Sequence, residues 1–149
     1  MLRINSSSKR VIAQTRKYLE KTTGGEFDYA VSSRNHLMLD FDCSGEKRMC
    51  VNDVFITLEL ISEEFEINFA VYETPNGFHA IALNEKNWKD ISKILKAILV
   101  GIRNGVFPYL DSNHIEACLR RGYMTLRLNQ IRKIGEVING KTAYNIYGA

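Results

Sequence analysis

Apolar positions along the chain alternate between a helical spacing and a strand-like one, and the switches between them mark out the elements. Residues 8–22 carry Val11, Ile12, Thr15, Tyr18 and Leu19 at helical intervals behind a run of serines, and Gly24-Gly25 stops them. The nearly unbroken apolar run at 36–41 reads as a strand from the middle of a sheet. Between 52 and 65, Val54, Phe55, Leu58, Ile61 and Phe65 share one helical face, with Asn52 or Asp53 available as a cap. Two strand-like runs, 67–72 and 78–83, flank Glu73-Thr74-Pro75-Asn76-Gly77, whose composition suits a hairpin loop.

The clearest helix spans 88–104, with Ile91, Ile94, Leu95, Ile98 and Ile102 on one face and Gly105 after it. A shorter helix at 113–121 leads through Gly122 to a fourth strand at 123–128. Asn139-Gly140 sits where a two-residue type I′ turn needs positive φ angles, so 137–147 reads as a terminal hairpin. The order strand-helix-strand-strand-helix-strand predicts an α+β fold of the ferredoxin-like, RRM-like kind. It has a core at about 35–130, an N-terminal helix and a C-terminal hairpin. No repeat or linker divides residues 1–149, so one domain is expected.

Composition narrows the classes without choosing among them. At 45% hydrophobic and 25% charged, the 149 residues are those of an ordinary globular chain. The run Ala97-Ile98-Leu99-Val100 is far short of the roughly 20 apolar residues of a membrane span. The first residues lack an apolar stretch with a cleavage site, which predicts a cytoplasmic location. Cys43, Cys50 and Cys118, an odd set without Cys-x-x-Cys spacing, are expected to be free thiols. The net charge of +3 is mild, but basic residues thicken after position 86, which allows a phosphate-bearing partner or simply solvated helix faces.

Candidate chemistry lies at the strand ends. Asp40 and Asp42 flank Phe41, and in an extended chain residues two apart share a face, so the two carboxylates project together while Phe41 turns to the core. Paired carboxylates repel unless a cation bridges them, and hard ions such as Mg²⁺ or Mn²⁺ favour oxygen ligands. The plainer alternative is that the aspartates end a strand and open a turn. His79 shares a face with Ile81. It is either a core histidine bonded to a carbonyl or, facing outward, a donor to phosphate.

Three ordered pieces, Leu37-Met38-Leu39-Asp40-Phe41-Asp42, Gly77-Phe78-His79 and Tyr109-Leu110-Asp111, resemble the motifs of the archaeo-eukaryotic primase superfamily of primase-polymerases. The resemblance implies an RRM-like catalytic palm and metal-dependent nucleotidyl transfer in DNA replication, as in a small virus or plasmid. Asp40, Asp42 and Asp111 would hold Mg²⁺ or Mn²⁺, and His79 would touch a nucleoside triphosphate. By charge and position, Arg127, with Arg132 and Lys133 beyond it, would meet phosphate on the nucleotide or on a DNA or RNA template. Asp111 competes with a helix-capping role, and His114 is a rival polar candidate.

Other implied partners are a replication protein and no membrane. The alternative is a non-catalytic RRM-like nucleic-acid-binding module whose open sheet would offer Phe69, Tyr72, Tyr123 and Arg127 to bases and phosphates. A replication-initiator endonuclease is weaker, because no His-x-His pair is present.

Overall fold

One antiparallel sheet, one mixed sheet and three helices carry the described part of the chain. The structure is a computed structural model describing residues 2–5, 29–43, 47–127 and 131–144. The helix expected at 8–22 lies outside the described residues. The strands are β1 (Leu2–Asn5), β2 (Tyr29–Ser33), β3 (Met38–Asp42), β4 (Phe69–Glu73), β5 (Gly77–Ala82), β6 (Met124–Arg127), β7 (Arg132–Ile138) and β8 (Lys141–Tyr144). The helices are α1 (Lys47–Phe65), α2 (Trp88–Arg103) and α3 (Ser112–Arg121). The class is α+β, as the periodicity predicts.

Local sequence explains the boundaries. The Asn87 side chain accepts the Asp90 N–H at the start of α2, with Asp90 in its first turn and Arg103 in its last, where the helix dipole favours each charge. Its stripe Ile91, Ile94, Leu95, Ile98 and Leu99 is buried. Asp111 caps α3 by accepting the His114 N–H, and Gly122 closes it in the left-handed conformation at φ 81°. Asn139 and Gly140, at φ 51° and 76°, join β7 to β8 as the expected type I′ turn; the first strand begins earlier than expected, at Arg132, and 145–147 lie outside the described residues.

The larger sheet runs β3-β5-β4-β7-β8, antiparallel throughout. Its register sets the faces. Leu39, Ala80, Val71 and Gly135 form one cross-strand row, and Gly135 is where Phe55 of α1 packs. The next row, Asp40, His79 and Tyr72, therefore faces away from α1, while β7 is irregular opposite Val71 and Tyr72, where its register shifts past residue 134 to Lys133.

Here the strand order departs from the expectation. A ferredoxin-like sheet would pair the fourth strand, β6, with β3. Instead β6 pairs with β2 in a second sheet, β1-β2-β6. The outer edge of β3 is taken by residues 109–111. Asp42 N–H donates to the Tyr109 carbonyl and Asp111 N–H to the Asp40 carbonyl, both at 2.9 Å, around a Phe41–Leu110 bridge. Tyr109, at φ 69°, turns the chain into this position, and β6, with that edge occupied, finds β2.

The second sheet also closes part of the face expected to be open. Met38 and Ile81 share the face of Asp40 and His79, yet both are buried, in one core with Val31, Met124 and Leu126. Along β3, the Asp42 end remains accessible.

The thiol expectation is corrected as well. Cys43 and Cys50 form a disulfide joining the end of β3 to the first turn of α1, and Cys118 alone is free and buried. Among the described residues no helix is long and apolar enough to cross a membrane.

Candidate functional site

Strand pairing brings the singled-out residues together. Asp40 is opposite His79 on β5, and its carbonyl accepts the Asp111 N–H on its other side. Asp42 is opposite Gly77, at the end of the turn that connects β4 to β5. A cavity of about 720 Å³ opens here, lined by Asp40, Asp42, His79 and Asp111, by the turn residues 74–77, and by Arg127 from the end of β6. Five of the six expected site residues therefore share one cavity. The sixth, Lys133, does not line it. It sits on β7, two strands beyond β5, and is ion-paired with Glu136.

The turn is a built wall. Thr74 N–H donates to the Gly77 carbonyl at 2.9 Å, the Gly77 N–H donates to Thr74 Oγ1 at 3.0 Å, and Cys43 N–H reaches the Asn76 carbonyl at 3.2 Å. Gly77 is required by space, since a Cβ there would lie 1.9 Å from the Phe41 carbonyl oxygen.

His79 is on the cavity side of the sheet, which settles its face. Its Nε2 is 3.3 Å from Asp40 Oδ1, while its buried Nδ1 has no hydrogen-bond partner. Burial pushes the Asp40 carboxyl up, but the His79 hydrogen bond and charge, with a further contribution from His114, hold it below the ordinary aspartate value. Asp40 is thus kept ionised at the cavity wall. Next in the same row, Tyr72 is pushed up to about 12 by burial and by the Glu136 charge, so it stays a neutral phenol.

Behind the carboxylates is a pair the sequence reading left apart. His114 Nε2 donates to the Thr125 carbonyl at 2.6 Å and stands 3.6 Å from Cys118 Sγ, one helical turn along α3. Burial lowers the His114 pKa, but Cys118, the Thr125 carbonyl and Asp40 outweigh it, and the net shift is upward. Burial raises the Cys118 thiol, and the His114 imidazole, with the Thr125 backbone and Arg121, more than reverses that. The i, i+4 spacing of His114 and Cys118 was the available signal.

The donor chemistry would suit a hard divalent ion, because three aspartates, Asp40, Asp42 and Asp111, line the cavity. Asp40 and the exposed Asp42 are the side chains that would hold it. Asp111 has one oxygen engaged, with Oδ1 accepting the His114 N–H at 3.2 Å. Among the described residues no three histidine, cysteine or carboxylate side chains are grouped to hold an ion as they stand. Loading the site would therefore draw these carboxylates closer together.

Of the four residues named for the alternative stacking surface, Phe69 is withdrawn into the core, while Tyr72 and Tyr123 are half-buried and Arg127 is exposed. Phe69 is fully buried and, two residues from Val71 along β4, shares the face turned toward α1. Tyr123 is covered by the Arg121 guanidinium 5.6 Å from its ring centre. Compared with protein-family models, with curated proteins and with solved structures, the chain shows no match.

Proposed function

We propose that the cavity is the active centre of a metal-dependent nucleotidyltransferase of primase-polymerase type, built on a palm-like core of β3, β5 and β4 with α1 and α2. The observation that carries this reading is that Asp40, Asp42, His79, Asp111 and Arg127, from four separate segments, line one cavity of a size suited to a small ligand. Divalent ions bound there would neutralise triphosphate charge and favour in-line displacement at phosphorus.

The chain's own groups divide the remaining work. Asp40, kept ionised and held by His79, and Asp42, exposed at the end of β3, supply the negative wall. Arg127, from the opposing sheet, supplies a cation for phosphate oxygens. A 3′-hydroxyl oxygen attacks the α-phosphorus, the bond to the β-phosphate oxygen breaks, pyrophosphate leaves, and the hydroxyl proton passes to a carboxylate or to solvent. His79 acts chiefly as the group that orients Asp40, since its Nε2 is already directed there.

The test is primer extension on a templated strand with nucleoside triphosphates and Mn²⁺ or Mg²⁺. The Asp40→Ala, Asp42→Ala double variant is expected to lose at least about 100-fold of the metal-dependent rate. Extension at the wild-type rate in that variant would remove the carboxylates from the chemistry.

A further inference from the structure

On the other side of the Thr74–Asn76 turn is a second cavity, of about 330 Å³, lined by Lys47, Glu73, Thr74, Pro75 and Arg132. Thr74 and Pro75 belong to both cavities, so the turn is a ridge between them. The two hollows differ in charge. The first gathers three carboxylates, whereas the second presents two cations around one carboxylate.

That carboxylate spans both cations. Lys47 Nζ donates to Glu73 Oε1 at 2.6 Å and to the Thr74 carbonyl at 2.8 Å, and Arg132 Nη2 donates to Glu73 Oε2 at 2.7 Å. Arg132 faces Glu73 directly across β4 and β7, and Lys47 opens α1, whose first turn carries no acidic residue. Glu73 thus occupies, from within the chain, the position an external oxyanion would take between an ammonium and a guanidinium. It is partly exposed, at 28%, and Arg132 is 62% exposed, so both can exchange partners with an arriving ligand.

We propose that this second cavity is a phosphate subsite for a single-stranded nucleic acid, with Glu73 as an internal placeholder that a backbone phosphodiester displaces. The inference rests on the nucleotidyl-transfer reading for its choice of ligand: a strand whose end enters the carboxylate cavity crosses the Thr74-Pro75 ridge and meets Lys47 and Arg132 next. The incoming phosphodiester matches the Arg132 fork at least as well as a carboxylate does. Glu73 therefore weakens strand binding while it stabilises the free protein.

The sign of one substitution tests this. Binding of a labelled single-stranded oligodeoxynucleotide of about a dozen nucleotides is followed by fluorescence anisotropy over a salt series, in chelator, with the full chain. Glu73→Gln keeps an acceptor for Lys47 and is expected to tighten binding roughly 3- to 10-fold, as neutralising a competing anion should. The Lys47→Gln, Arg132→Gln double variant is expected to weaken binding and to flatten the slope of log K against log salt by about 1.4, at roughly 0.7 per lost phosphate contact.

A purely structural ion-pair cluster predicts unchanged or weaker strand binding for Glu73→Gln, and that result overturns the proposal; a lower melting temperature follows from either reading and decides nothing. Should Glu73→Gln not fold, Arg132→Gln alone, at a largely exposed position, must still weaken binding and flatten the slope, and its failure to do so is equally decisive. A parallel titration of a nucleoside triphosphate with Mn²⁺ is expected to be indifferent to these changes. If the triphosphate responds and the strand does not, the subsite serves the nucleotide and the proposal is wrong. Strand effects that appear as expected while Asp40→Ala, Asp42→Ala leaves extension intact would sink the nucleotidyl-transfer reading alone.

Discussion

Gly77 shows how strongly a single position constrains the cavity. It stands opposite Asp42, and the missing Cβ is what lets β3 and β5 approach, since that atom would lie 1.9 Å from the Phe41 carbonyl oxygen. The obstacle is backbone, which cannot rotate away as a flexible side chain can. Gly77→Ala is therefore expected to cost about 3 kcal/mol by forcing the strands apart. It should also dislodge Asp42 and the Thr74–Gly77 turn, so Mn²⁺-dependent nucleotide binding should fall with stability. Urea denaturation read by circular dichroism checks the first effect, and a stability change under 0.5 kcal/mol would mean the strand pairing is looser than the register indicates. The sequence displayed Gly77 as a turn residue, but its closeness to Phe41 is a pairing fact that local pattern does not encode.

At the scale of elements, the helices and the strands β3, β4 and β5 were legible because each buries a periodic apolar face. Most boundaries moved by only one or two residues, but the start of α1 moved back from 52 to 47. The segment 109–111 was not legible. It is too short for a periodicity, and its role depends on an unpaired edge of β3 that only the assembled sheet presents.

That segment gives Asp111 two possible duties, and one pair of substitutions separates them. The Asp111 side chain caps α3 at the His114 N–H while lining the cavity. Asparagine caps as well as aspartate, whereas alanine does not cap. Asp111→Ala should therefore cost about 1 kcal/mol, and Asp111→Asn only a few tenths. If Asp111 also helps to hold the ion, Asp111→Asn should weaken Mn²⁺ binding despite near-normal stability, as isothermal titration beside thermal melting would record. Mn²⁺ affinity that survives the asparagine would confine this residue to capping.

Across the whole molecule, the largest difference from the sequence-based picture comes from long-range partners. β6 has the apolar content of a strand at the expected place, but its partner β2 lies over ninety residues earlier in the chain and carries too few alternating positions to announce itself. Pairing it with β2 closes the part of the sheet face around Met38 and Ile81 and carries Arg127 to the cavity. The disulfide escaped notice for a similar reason. Cys43 and Cys50 have no motif spacing, and only the meeting of the β3 end with the first turn of α1 brings them together. Their bond ties the residue after Asp42 to a helix that packs beneath the larger sheet, so it should matter to stability beyond its immediate loop. Closing a loop with a sequence separation of 7 restricts the unfolded chain by about 2 kcal/mol. Unreduced protein unfolded in denaturant should show one titratable thiol, from Cys118, and reduction should raise the count to three while lowering the urea midpoint by an equivalent of about 2 kcal/mol. The Cys43→Ala, Cys50→Ala variant should match the reduced midpoint. Three reactive thiols before reduction, with no change in midpoint after it, would show that the two cysteines are unpaired in solution and that β3 is held at its cavity end by hydrogen bonds alone.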